Sequence, residues 1–314
     1  MKRAILIAGP TASGKSALAL RLADRLEARG GATIINADSM QVYRDLHILT
    51  ARPSTAEEAR HPHRLYGVIG AEEASSVMRW RALAVDALEQ AWANGRWPVV
   101  VGGTGLYFRA LLDGLSPIPD IPDAVRAAAR DRHAGLGGAA FHAELAARDP
   151  DMAARLQPGD SQRLIRAWEV IAATGRSLAD WQREPGEGLA AETLRFVLLP
   201  ERAALHARID ARFTAMLAVG ALDEAAALLA RNLDPDLPAM RAVGFRELAT
   251  HIRGEADLDT AIAAGQAATR QLAKRQMTWM RNQMSQWDFI SQQGESLIEQ
   301  IIAKISQRWL TQRG

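Results

Sequence analysis

Cysteine is missing from the chain altogether, which excludes disulfides, thiolate zinc sites, iron–sulfur clusters and thiol nucleophiles together. Lysine is nearly missing: Lys2, Lys15, Lys274 and Lys304 are the whole complement among 38 basic residues. The remainder are arginines, a preference that suits two-pronged contacts to phosphate and also follows from a GC-rich genome. No hydrophobic run approaches the ~18 residues that span a bilayer. The first such run, Ala4 to Ala8, breaks at Gly9-Pro10 after five residues, too short for the apolar core of a signal peptide. A cytoplasmic protein with no membrane partner is expected. What is present is 314 residues, 48% hydrophobic and 24% charged with a net charge of +2, enough to bury a real core. Such a length implies about two domains, or one domain with an insertion.

Apolar runs and helical spacing alternate along the chain. Ala4–Ala8 predicts a buried strand, and from Gly14 Leu18, Leu22 and Leu26 recur at helical spacing until Gly30-Gly31, after which Thr33–Ile35 predicts the next strand. Val99–Val101 before a helix-like stretch from Leu106, and Phe196–Leu199 before another from Arg202, repeat the unit. Strands alternating with helices imply an α/β fold with a parallel sheet covered on both faces. Between the last two strands, Pro117, Pro119 and Pro122 mark an entrance and Pro185-Gly186-Glu187-Gly188 an exit, with helical patterning between them. Residues 117–190 are therefore expected as an inserted helical lobe, with 1–116 and 191–314 as the two parts of the core, the second mostly helical with a break at Asn232–Pro238.

Gly9-Pro10-Thr11-Ala12-Ser13-Gly14-Lys15-Ser16 is a complete G-x-x-x-x-G-K-[ST] phosphate loop, placed after a strand and opening a helix. Its amides and the helix N-terminus supply partial positive charge, Lys15 a full one, and Ser16 a hydroxyl for Mg²⁺. One of the four lysines fills the required position. The loop names a ligand and leaves the reaction open. A GTPase switch would need Asn-Lys-x-Asp, and no lysine here follows an asparagine. A small-molecule or nucleotide kinase would bind ATP in the loop. A third class would hold the diphosphate of another substrate as a leaving group. Asp38, following the second strand, emerges on the same rim as the loop, where it can bind metal, take a proton or cap its own turn.

Taken with the loop, Asp38-Ser39-x-Gln41-x-Tyr43, Thr50-Ala51-Arg52-Pro53, His63-Arg64-Leu65 and Gly102-Gly103-Thr104-Gly105-Leu106-Tyr107 closely resemble the bacterial tRNA dimethylallyltransferase (isopentenyltransferase) family. Asp160–Arg166, Arg241-Ala242-Val243-Gly244-Phe245-Arg246 and Arg270-Gln271-Leu272-Ala273-Lys274-Arg275-Gln276-x-Thr278-Trp279-x-Arg281 extend the resemblance to about residue 281. The chain departs from the family pattern at Leu49, where glycine is usual, at Arg52, usually lysine, and at Phe245, usually tyrosine.

The resemblance implies a P-loop NTPase-like core and transfer of a dimethylallyl group from dimethylallyl diphosphate to the exocyclic N6 amine of the adenosine 3′-adjacent to the anticodon, in tRNAs reading codons that begin with U. It implies Asp38 and Thr104 as catalytic residues and Gly9–Ser16 as the diphosphate site. Mg²⁺ would be held by Ser16 and Thr104, with Arg208 or Arg212 a candidate to complete the clamp. Contacts to the tRNA anticodon stem-loop would come from Asp38, Ser39, Met40, Gln41 and Thr104 at the flipped base, and from Arg126, Gln162, Arg163, Leu164, Ile165 and Arg166 in the lobe. They would come also from Arg241, Ala242, Val243, Gly244, Phe245 and Arg246, and from Lys274, Arg275, Gln276, Met277, Thr278, Trp279, Met280 and Arg281. Helical spacing puts Arg270, Lys274 and Arg281 on one stripe and Trp279 opposite, so Trp279 is expected in the core. His63 is expected as a hydrogen-bonded loop residue, and the chain as a monomer.

Overall fold

A computed structural model describes residues 2–184, 186–291 and 295–310. Strand β1 (Arg3–Ala8) is buried from Ala4 onward, as a continuously apolar run between two helical layers must be. Helix α1 (Lys15–Leu26) follows the phosphate loop and buries Leu18, Leu22 and Leu26. Next come β2 (Ala32–Asn36), α2 (Thr55–Arg60), β3 (His63–Arg64), α3 (Val77–Ala93), β4 (Trp97–Gly102) and α4 (Gly105–Asp113). A helical stretch, α5 (Asp123–Arg148), α6 (Pro150–Ala153), α7 (Ser161–Thr174) and α8 (Leu178–Trp181), precedes β5 (Glu192–Leu198). The chain continues through α9 (Arg202–Ala218), α10 (Ala221–Ala230), α11 (Phe245–Ile252), α12 (Leu258–Gln283), β6 (Asp288–Ile290) and α13 (Glu295–Ile305).

The six strands form one sheet in the order β3-β2-β4-β1-β5-β6, and every pair is parallel. Because β4 lies between β1 and β2, the carboxyl ends of three strands far apart in sequence become neighbours. The edge strands β3 and β6 have no apolar run to announce them: His63-Arg64 and Asp288-Phe289-Ile290 are mostly exposed. His63, expected in a loop, is therefore an edge-strand residue, its Nδ1 2.8 Å from the His61 carbonyl oxygen. Strand β5 begins at Glu192, ahead of the apolar run, since pairing of Glu192 with Arg3 extends the ladder.

Two compact units result, one formed by Met1–Leu111 with Leu189–Gly314 and the other by Leu112–Gly188. In the first, α1 and α13 pack on the sheet around Ile5, Ile7, Leu22, Ile301 and Trp309. In the second, α5 and α7 enclose Phe141, Leu145, Leu164 and Trp168. Pro185, expected at the lobe's exit, lies outside the described residues. Among the described residues no single helix is long and apolar enough to cross a membrane.

Candidate functional site

Three segments meet at the carboxyl edge of β2, β4 and β1. Gly9 N donates to Gly102 O at 3.2 Å, Ala37 N to Val101 O at 2.8 Å and Thr104 N to Ala37 O at 3.1 Å, so the phosphate loop, residues 37–41 and residues 103–106 are tied together by backbone. Within the loop Ala12 (φ 60) and Gly14 (φ 88) take the left-handed conformation, and Ser13 N donates to Pro10 O at 3.2 Å. Alternation of left- and right-handed residues is the backbone pattern that gathers N–H groups into an anion-binding hollow.

Lys15 is buried in this hollow, and its Nζ donates to Pro10 O at 3.3 Å. Burial, partly offset by the Asp38 carboxylate and reinforced by the Arg212 guanidinium, lowers its pKa to about 8. Arg212 comes from α9 and donates through Nη2 to the Thr11 hydroxyl. Burial lowers its pKa as well, again against the pull of Asp38. Two desolvated cations thus share a single neighbouring carboxylate, an arrangement that a polyanion would complete.

Asp38 is held by its own turn and by Asn36. Its Oδ1 accepts from Met40 N at 3.0 Å, and its amide donates to Asn36 Oδ1 at 2.8 Å. Asn36 is fully buried and spends Nδ2 on Asp38 O and Leu65 O, both at 3.0 Å, while its carbonyl accepts from Trp80 Nε1 at 2.8 Å. Thr104 Oγ1 accepts from Ser39 N at 2.9 Å and faces Ser39 Oγ at 3.3 Å. Oxygen donors at this edge that suit a metal include Ser16, exposed on the first turn of α1, Asp38, and Thr104, whose Oγ1 keeps one lone pair. No group of three or more His, Cys, Asp or Glu side chains gathers among the described residues. Hard, sparse oxygen ligands suit Mg²⁺, which keeps waters and takes substrate phosphates as ligands, and do not suit zinc.

Asp38 lies between two cavities. One, of about 70 Å³, has an apolar side formed by Met40, Leu49, Ile209, Phe213 and Met216 and a polar side formed by Thr11, Thr50, Arg212 and Thr269; it is called the apolar cavity for the first of these. The other is an open cleft of about 310 Å³ lined by Ser39, Thr104, Leu106, Arg275 and Trp279. Asp38, Met40, Leu272 and Gln276 border both. The arrangement can hold a small apolar group joined to an anion on one side and a flat molecule against Leu106 and Trp279 on the other, with a carboxylate between them.

The structure redistributes several residues expected at an RNA surface. Leu164 and Met280 are 0% exposed, Ala242 1%, Phe245 3% and Met277 6%; the helical period turns Leu164, Met277 and Met280 inward within motifs whose neighbours face out, while Ala242 is buried in the extended segment before α11. Val243 lines the apolar cavity. Gln41 donates Nε2 to Thr50 O at 2.8 Å and Ala51 O at 3.0 Å, which anchors a loop and leaves no amide hydrogen for a base. Gln276 accepts from Thr11 N at 2.8 Å through Oε1 and donates to Gly103 O at 3.1 Å through Nε2, so it braces the phosphate loop against the β4 loop.

Trp279 is half-buried at the cleft, not in the core. Its ring lies against Gly105 so closely that a Cβ there would fall 2.0 Å from it. Gln162, Arg163, Arg241, Arg246, Lys274, Arg275, Thr278 and Arg281 are exposed, and Arg126, Ile165 and Arg166 half-buried. Arg163 pairs with Asp160 at 3.3 Å, Arg166 with Glu169 at 3.2 Å and Arg241 with Asp236 at 2.5 Å, while Arg126 Nε donates to Ile121 O at 3.1 Å. Arg212, and not Arg208, lines the apolar cavity. Apart from Arg212, the sequence carried no signal for the apolar lining from α9 or for the bracing role of Gln276, because both depend on contacts across more than 150 residues.

Comparison with known proteins places this geometry in context. A family model described as IPP transferase matches residues 41–283. A tRNA dimethylallyltransferase of Parvibaculum lavamentivorans is 54% identical over 311 residues, 98% of each chain. One from Paramagnetospirillum magneticum is 54% identical over 310 residues, covering 98% of this chain and 97% of its own. The crystal structure of the full-length tRNA isopentenylpyrophosphate transferase from Bacillus halodurans matches with a TM-score of 0.71 and 31% identity, over 98% of this chain and 96% of that one. A eukaryotic dimethylallyltransferase described as acting on tRNA matches with a TM-score of 0.81 and 27% identity, over 100% of this chain and 81% of that one.

Proposed function

Since the chain belongs to the IPP transferase family, we propose that it transfers a dimethylallyl group from dimethylallyl diphosphate to N6 of the adenosine 3′-adjacent to the anticodon, in tRNAs reading codons that begin with U. The observation that carries this is the position of Asp38 on the shared wall of the apolar cavity and the open cleft. The prenyl group occupies the cavity, with its diphosphate at the phosphate loop, Lys15 and Arg212. The adenine, turned out of the anticodon stack, enters the cleft, since a base held in its stack cannot present its amine to a recessed carboxylate.

The N6 lone pair forms a bond to C1 of the prenyl group as the C1–O bond breaks, and the electron pair of that bond leaves with the diphosphate. The N6 proton passes to Asp38, whose place is fixed by Asn36 and Met40 N. Lys15, Arg212 and the loop amides neutralise the charge that gathers on the leaving group, in a partly dehydrated site where such stabilisation is strongest. Ser16, with Thr104 as a second hydroxyl, would hold Mg²⁺, which when bound supplies further positive charge to the diphosphate. The exposed arginines of Leu112–Gly188 and the basic end of α12 grip the stem-loop phosphates. Action in the cytoplasm as a monomer accompanies this role.

Incubation with Mg²⁺, labelled dimethylallyl diphosphate and bulk bacterial tRNA should place label in adenosine after nuclease digestion. A kinase would instead consume ATP and phosphorylate its substrate, and none of the relatives named above supports that alternative. ATP turnover with a phosphorylated product and no prenyl adduct would refute the transferase.

A further inference from the structure

One wall of the apolar cavity is built on a loop held from outside itself. Leu49 lines the cavity and is 8% exposed. A Cβ on Gly244 would stand 3.2 Å from Leu49 Cδ2 and 3.2 Å from the Phe213 ring edge. Gly244 also has φ +94, a conformation and a space that only glycine satisfies without strain. Leu49 and Phe213 therefore close together over the Gly244 backbone. Behind Leu49, three successive loop amides converge on a single carboxylate: Glu224 of α10 accepts from His47 N and Ile48 N through Oε2, both at 2.8 Å, and from Leu49 N through Oε1 at 2.9 Å. At the end of the same helix Arg231 bonds Asp45 and Glu72. The loop is thus fastened to α10 at the residue whose side chain faces the cavity.

We propose that Leu49 sets the length of prenyl group the cavity accepts, and that Glu224 is the positioning residue that keeps Leu49 in that place. This rests on the transferase reading above. A cavity of about 150 Å³ admits a six-carbon ring, so the space of about 70 Å³ present here has no room for a ten-carbon chain. Removing carbons from Leu49 lengthens the cavity; adding them fills it.

The test compares dimethylallyl and geranyl diphosphates as donors, by kcat/KM, in the full-length enzyme. Leu49→Ala should shift the ratio toward the longer donor by about tenfold or more, the scale of a few methylenes in an apolar pocket. Leu49→Phe should weaken dimethylallyl diphosphate binding while inorganic diphosphate binds as before. Glu224→Gln, which keeps the volume but weakens the acceptor, should raise KM for the donor several-fold with KM for tRNA unmoved, and shift the ratio in the same direction as Leu49→Ala. An unchanged donor ratio in folded Leu49→Ala, or equal loss of both diphosphates in Leu49→Phe, would overturn the assignment of Leu49. A Glu224→Gln enzyme with lower Tm and an unaltered donor KM would reduce Glu224 to a structural residue. If the wild-type enzyme moved no prenyl group at all, the activity would be wrong, yet the two diphosphate affinities of Leu49→Phe would still decide the cavity.

Discussion

The cations at the phosphate loop and those of the helical unit differ in every physical respect except sign. Lys15 and Arg212 are desolvated, come from elements nearly 200 residues apart, and share one carboxylate, Asp38, as the opposing charge. Arg163 and Arg166 are exposed or half-exposed, and each has an acid three residues away, Asp160 at the N-cap of α7 or Glu169 within it. The first pair is few, fixed and weakly screened; its charge is available at full strength to a ligand that fits. The second kind is solvated and already paired, and a surface pair of that sort is worth little in water. A small diphosphate needs the first arrangement and a long RNA backbone is served by the second.

Substitutions at the two regions should separate them by size of effect. Asp38→Asn keeps shape and hydrogen-bonding reach but removes the proton acceptor, so kcat should fall by about 10² to 10⁴ with little change in the affinity of either substrate. Full activity across pH would mean that Asp38 only orients the amine. Lys15→Ala should cost about 10³ in transfer, in line with loss of one strong donor from a charge-stabilising site, and should weaken inorganic diphosphate binding while leaving the stem-loop Kd in place.

The lowered pKa of Lys15 adds a pH signature with two opposite slopes. Folded Lys15 titrates near 8 and the unperturbed group near 10.5, so between these values the unfolded chain holds more protons and stability of the free enzyme should rise with pH. Donor affinity requires the charged ammonium and should decline from about pH 8 upward. Chemical denaturation and diphosphate titration over pH 7 to about 10.5 would detect both slopes, and Lys15→Met should abolish both. Parallel slopes would detach Lys15 from the diphosphate.

The smallest effects belong to the RNA side. Lys274→Ala should weaken a fluorescent anticodon stem-loop by about three- to tenfold and reduce the salt slope by about 0.7 to 0.9, with donor binding intact. Arg163→Ala should do less, because Asp160 already offsets its charge. Equal losses from both would show that the lobe arginines leave their acids when RNA binds. Loss of donor binding in Lys274→Ala would assign Lys274 itself to the small-molecule site that Leu272 and Gln276 of α12 already border.

Local sequence carried the parts of this site that are local in structure. Gly9–Ser16 is one turn between a strand and a helix, so its residue order already contains its geometry, and Asp38 follows the second strand by the same logic. Leu164, Met277 and Met280 show the limit: each sits inside a basic motif, and only the rotation of the packed helix decides that the motif's apolar members turn inward. Strands β3 and β6 escaped notice because their pairing partners, β2 and β5, stabilise them in place of any apolar run of their own. Trp279 lies opposite the basic stripe as its spacing predicts, but that side of α12 faces Gly105 at the cleft.

The sequence by itself determined the alternation of strand and helix, the phosphate loop, the carboxylate on its rim and the family, since each is written in short-range periodicity or in ordered motifs. Tertiary structure alone decided that Arg212 rather than Arg208 joins Lys15, that Gln276 braces the loop, and that Leu49, fastened by Glu224, bounds the apolar cavity. These depend on helices α9, α10 and α12 returning to the edge of β1, β2 and β4. No residue type or spacing records such a return, because it is the burial of whole apolar faces against one another that brings the helices back.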